Sequence, residues 1–131
     1  MKNIGISIIT VVYNNIRGIE RTIQSVLNQS YNNIEYIIID GGSTDGTLDV
    51  IKRYENRISY WISEADEGIY NAMNKGILKA HGSFLNFMNS GDTFVTSTTI
   101  ERLIERYEKG DKIIYGNILK CYDLSLIHIS E

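Results

Sequence analysis

Apolar residues along the chain follow two alternating periods. Residues 4–12 (IGISIITVV) are β-branched and almost continuously apolar, the pattern of a strand covered on both faces. Ile16, Ile19, Ile23, Val26 and Leu27 follow at helical spacing. Residues 34–39 (IEYIII) form a second buried strand that stops at Asp40. Ser43 or Thr44 is placed to cap a helix starting near Asp45, with Leu48, Ile51 and Tyr54 toward the core. Residues 58–62 suit a third strand, and 68–80 a helix stopped by Gly82, with Ile69, Met73 and Ile77 inward. Residues 83–88 suit a fourth strand. Ser97 or Thr98 caps a last helix carrying Ile100, Leu103, Ile104 and Tyr107, ended by Gly110, and 112–115 suit a fifth strand.

Strand and helix therefore alternate with short joins. That order predicts an α/β fold with right-handed crossovers: an open, mainly parallel, Rossmann-like sheet with helices on both faces. Ligands of such sheets lie beyond the carboxyl ends of the strands. Those ends read Val12-Tyr13-Asn14-Asn15, Asp40 to Gly46, Ser63 to Gly68, and Asn89-Ser90-Gly91-Asp92. Each offers an aromatic face, carboxyl groups, amides or glycines, which together suit a nucleotide. Tight turns alone would also account for the glycines after Asp40 and for the stop at Asn89.

Composition narrows the choice. The 131 residues, 43% hydrophobic and 22% charged, suit one soluble globular domain. A net charge of -3 without a basic block argues against nucleic acid as partner. Cys121 is the single cysteine, so no internal disulfide forms and a reducing, cytoplasmic setting is expected. No apolar run reaches the roughly 18–20 residues of a membrane helix. The chain has no G-x-x-x-x-G-K-[ST] loop, and no G-x-G-x-x-G or basic glycine-rich loop after its first strand.

Four segments, SIITVVYN (7–14), IDGGSTDGT (39–47), DEGIYNAMNKG (66–76) and FMNSGD (87–92), resemble the family 2 inverting glycosyltransferases of the GT-A fold. The likeness covers about residues 3–118. It implies a nucleotide-sugar-binding domain at 1–118, followed by a tail at 119–131. By resemblance Tyr13 stacks on the base, with Thr10 and Val11 beside it. Asp40 contacts the nucleoside, and Gly41 replaces an acid common in the family. Asp66 lies near the diphosphate and sugar. Asn71, Asn74 and Lys75 share one helix face toward them, a face that would equally suit solvent. Asn89, Ser90, Gly91 and Asp92 stand where the family places its acidic metal motif; Asn89 and Gly91 occupy acid positions, and only Asp92 keeps its charge. The implied cofactor is Mg²⁺ or Mn²⁺, weakly held without donor. The implied donor is a nucleotide-diphosphate sugar, a UDP-sugar by expectation. The implied acceptor is a glycan or a lipid-linked hydroxyl, in cell-surface polysaccharide synthesis at the inner membrane face. The family's general base follows the fifth strand, so no catalytic base is assigned here, and this chain is expected to bind donor but transfer sugar poorly. A non-catalytic nucleotide-binding or interaction module on the same fold is the alternative.

Overall fold

The computed structural model describes residues 4–65 and 67–108, together with the backbone of Cys121–Asp123. Asp66, Gly110, the expected strand at 112–115, His128 and Glu131 lie outside the described residues. The elements run β1 Ile6–Val12, α1 Ile16–Leu27, β2 Ile34–Asp40, α2 Thr47–Arg53, a short 3₁₀ turn Glu55–Arg57, β3 Tyr60–Ser63, α3 Ile69–Lys79, β4 Phe84–Phe87, α4 Thr99–Glu108 and β5 Cys121–Asp123. The sheet order is β3-β2-β1-β4-β5. The pairs β1–β2, β1–β4 and β2–β3 are parallel, as the alternating pattern predicts. Only β5 is antiparallel, beside β4, so part of the stretch read as a tail joins the sheet.

The nearly unbroken apolar run of β1 is explained by two cores. Ile6, Ile8 and Val12 face a layer of α1, α2 and α4 built on Ile19, Ile23, Val26, Val50, Ile51, Ile100 and Ile104. Ile9 and Val11 face the other side, where Ala72 of α3 packs with Ile37, Ile39 and Leu85. Alternate residues of one strand thus feed opposite layers. The polar Thr10 lies within this run at no cost in unpaired groups: its hydroxyl is 2.8 Å from that of buried Tyr36, whose ionisation is pushed up by burial. Among the described residues no helix is long and apolar enough to cross a membrane.

Two local expectations are corrected. The start of α2 is capped by neither Ser43 nor Thr44; the helix begins at Thr47, after Gly46. Ser43 is unavailable because its hydroxyl donates to Asp40 and accepts from the Asn14 N–H. The inward face of α3 is Ala72 and Gly76, with Met73 and Ile77 at its margin, whereas Ile69 is half exposed. The small residues let the helix sit close to the sheet. A Cβ built on Gly76 would stand 2.5 Å from Ile9 Cγ2. His81, just past the end of α3, bonds Glu35 through its backbone N–H at 2.7 Å and its ring Nδ1 at 2.8 Å.

Gly76→Val is expected to lower stability by about 1–3 kcal/mol, because branched carbon would be forced onto a fully buried isoleucine. Urea unfolding measures this, and unchanged stability would mean that α3 stands farther from the sheet than described.

Candidate functional site

The carboxyl ends of β1, β2, β3 and β4 share one rim, and the chain order reverses across β1 there. Three backbone devices shape that rim. After β1, Asn14 adopts φ 47, a left-handed conformation that asparagine tolerates better than most residues. Its side chain accepts from the Thr44 N–H at 2.7 Å, tying the β1 loop to the β2 loop. Asn15 then caps α1, its Oδ1 accepting from the Gly18 N–H at 3.1 Å.

After β2, Asp40 is wholly buried. Its Oδ2 accepts from the Gly42 N–H (3.0 Å), the Ser43 N–H (2.8 Å) and the Ser63 hydroxyl (2.8 Å), and its Oδ1 from the Ser43 hydroxyl (2.5 Å). Farther along, Asp45 accepts from the Thr47 hydroxyl (2.5 Å), the Thr47 N–H (3.0 Å) and the Ile16 N–H (3.0 Å), and so serves the first turns of two helices. These donors, the Thr47 hydroxyl foremost, hold the Asp45 carboxyl below its ordinary value.

After β4, the Asp92 N–H closes a turn onto the Asn89 carbonyl at 2.9 Å, with Gly91 at φ 102. A type II turn requires this left-handed third position, so an acid at Gly91 would be strained. Turn chemistry accounts for Gly91, while its neighbours Asn89 and Ser90 face a cavity.

That cavity, about 590 Å³, opens on the rim. Val11, Val12, Tyr13, Gly41, Ala65, Gly68, Ile69 and Ala72 make a mostly apolar part, and Asn15, Asn89 and Ser90 a polar part. Tyr13, 64% exposed, and Ile69, 49% exposed, stand at its mouth. Of the residues expected at a nucleotide site, Val11, Tyr13, Gly41, Asn89 and Ser90 line it. Thr10 is buried against Tyr36, and Asp40 lies under the loop that presents Gly41. Asn71 accepts from the Glu67 N–H at 3.3 Å, and Asn74 is exposed. Lys75 is ion-paired with Glu64 at 3.0 Å. Asp92 is exposed, just past the lining residues.

Val12, Asn15, Ala65, Gly68, Ile69 and Ala72 join the lining without having been singled out as ligand contacts. Asn15 had a legible signal as a helix cap beside Tyr13. The α3 residues had none, since helical spacing marks faces and not what each face meets.

For a divalent cation the donor set is small but chemically suitable. Among the described residues no three of His, Cys, Asp and Glu come together. The Asp92 carboxyl makes no hydrogen bond there, and the Asn89 amide oxygen is near in sequence. Hard oxygens of this kind suit Mg²⁺ or Mn²⁺ when a substrate's phosphates complete the shell.

Residues 7–126 match the model of glycosyl transferase family 2. An uncharacterized glycosyltransferase of Mycobacterium tuberculosis is 41% identical over 101 residues, 76% of this chain and 38% of the relative. The chain therefore spans well under half of that protein's length. Among solved structures, S. aureus TarS 1–349 in complex with UDP-GlcNAc aligns with TM-score 0.74 at 23% identity, over 80% of this chain and 31% of that one. A mannosyltransferase from Pyrobaculum calidifontis, in complex with GDP-Man and Mn²⁺, aligns with TM-score 0.70 at 20% identity, over 76% and 31%. The two structural likenesses confirm the GT-A-like fold.

The lowered Asp45 ionisation predicts an acid-labile rim. Unfolded, this group binds protons more readily, so its contribution to stability is present above the unfolded value and is lost as pH falls through the folded one. Thermal melts from about pH 5 to about pH 2 are expected to show a shallower acid-side decline for Asp45→Asn than for the wild type.

Proposed function

The chain belongs to glycosyl transferase family 2, and from that membership we propose that its rim cavity binds a nucleotide-diphosphate sugar for inverting transfer to an acceptor hydroxyl. One observation carries this reading: an apolar slot and an oxygen-rich turn share one cavity at the switch point of the sheet. A base needs the first and a sugar diphosphate the second. TarS is solved with UDP-GlcNAc and the Pyrobaculum enzyme with GDP-Man and Mn²⁺, which supports a nucleotide-sugar donor.

In this reading the Tyr13 ring covers the base, with Val11 and Gly41 beside it and Ile69 opposite. Gly41 brings backbone, not a side chain, to the base edge. Asn89 and Ser90 meet the diphosphate and sugar, with Asp66 assigned to the same end. Asp40, Thr10 and the α3 residues Asn71, Asn74 and Lys75 act from around that lining. The Lys75 charge is engaged by Glu64, so it offers little neutralisation of phosphate. Asp92 is the carboxylate available to Mg²⁺ or Mn²⁺, with Asn89 as a neutral oxygen donor. The cation, when bound with donor, offsets the charge of the departing nucleoside diphosphate. The acceptor oxygen forms its bond to the anomeric carbon from the side opposite that leaving group, and its proton passes to a general base. A UDP-sugar is the donor of first choice. The acceptor is a glycan or lipid-linked hydroxyl of cell-surface synthesis, reached from the cytoplasmic side at the inner membrane face.

Calorimetry with UDP-GlcNAc and GDP-mannose, each with and without Mn²⁺, tests the reading. Tyr13→Ala is expected to weaken binding in both conditions, by about 1–3 kcal/mol for a lost stacking contact. Asp92→Ala is expected to remove only the gain that Mn²⁺ brings. Binding indifferent to Mn²⁺ and to Asp92 would favour a non-catalytic module.

A further inference from the structure

Residues 88–98, between β4 and α4, carry Asp92 but have no regular secondary structure. Side chains of α1 and its ends bond this segment in sequence. Asn15 Nδ2 donates to the Ser90 carbonyl (3.2 Å) and hydroxyl (3.1 Å). The Thr22 hydroxyl donates to the Asp92 carbonyl (2.7 Å) and accepts from the Gly91 N–H (2.8 Å). The Phe94 N–H donates to Ser25 Oγ (2.6 Å), and Gln29 Nε2 to the Thr96 carbonyl (2.7 Å). Intervals of seven, three and four place these four residues on one stripe of the helix.

We propose that Thr22 is a positioning residue for the Asp92 carboxylate, its buried hydroxyl setting the turn that aims this group at the donor's metal. The proposal rests on Asp92 as the metal-binding carboxylate. Thr22 is fully buried, and among the described residues its oxygen is the one side-chain atom that bonds two consecutive residues of the turn. The same hydroxyl lies 3.3 Å from the Gly18 carbonyl, the ordinary back-bond of a helical threonine, but the Asp92 carbonyl is closer. Ser25 holds the chain two residues farther on, where loss of its bond would loosen the segment without releasing the turn.

Four variants of the 131-residue chain test this: Thr22→Val, Thr22→Ser, Ser25→Ala and Asp92→Asn. Two readouts are hydrogen exchange at the Gly91 and Asp92 amides and Mn²⁺ affinity in the presence of UDP by electron paramagnetic resonance. A third is UDP affinity without metal. Thr22→Val is expected to speed exchange at both amides and lower Mn²⁺ affinity about tenfold, as loss of an outer partner does at metal sites. Metal-free UDP affinity should fall by far less than Mn²⁺ affinity, and Thr22→Ser should return exchange and Mn²⁺ affinity toward the wild type. The proposal is overturned if Asp92→Asn loses Mn²⁺ while Thr22→Val keeps it. It is equally overturned if Ser25→Ala matches the loss seen in Thr22→Val. If Asp92→Asn retains wild-type Mn²⁺ affinity, the metal-binding role of Asp92 fails and the positioning role falls with it. Exchange at Gly91 would then report only whether Thr22 holds the turn.

Discussion

The rim of this protein is organised around a carboxyl group that does not reach solvent. Asp40 ends β2 inside the molecule, where an acid without partners would be strongly disfavoured. Two backbone N–H groups and two serine hydroxyls surround it instead. Each bond fixes a different piece: the Gly42 and Ser43 amides curl the β2 loop, and Ser63 fastens the end of β3. Ser43 passes the constraint on, since its hydroxyl also receives the Asn14 N–H at the end of β1. Three strand ends are joined through two side chains, Asp40 and Ser43, and Gly41 is held where the cavity needs bare backbone.

The fourth strand end is held differently. Helix α1 uses two faces. Ile19, Ile23 and Val26 pack on the sheet, while Asn15, Thr22, Ser25 and Gln29 bond the loop after β4. At its start the Met88 and Ser90 N–H groups reach the β1 carbonyls of Ile9 (2.9 Å) and Val11 (3.1 Å); beyond them the loop leaves the sheet and must otherwise satisfy its backbone with water. Lacing it to a helix already anchored in the core makes the turn at Asn89–Asp92 as well placed as a regular element. Rigid support of this kind is what a binding site needs, because small displacements of a ligating group are costly.

The reduced acidity of that turn has a conformational side. Gly91 sits at φ 102, where any residue with a side chain would be strained, so the turn geometry and a second acid at this position compete. At the turn after β4 the rim keeps one acid, Asp92, beside amide and hydroxyl groups. Lys75, the nearby cation on α3, is already opposed by Glu64. The electrostatics of the cavity thus leave room for charge brought by a ligand, a metal and diphosphate together being close to self-neutralising.

The sequence by itself determined the order of strands and helices, the parallel sheet with both faces covered, and the rim where the strand ends meet. These follow from periodicity, which records how many faces of an element are buried. It also marked Val11, Tyr13, Gly41, Asn89 and Ser90, all of which line the cavity. The tertiary structure alone decided which partner each polar group meets. Ser43 looked like a helix cap and is spent on Asp40; Ile69 looked like core and stands at the cavity mouth. The stripe of Asn15, Thr22, Ser25 and Gln29 has visible helical spacing, yet its partners lie 67 to 75 residues away. Local spacing encodes direction around a helix or strand. It carries no record of what folding brings opposite that face, and in this chain that distant company is what builds the site.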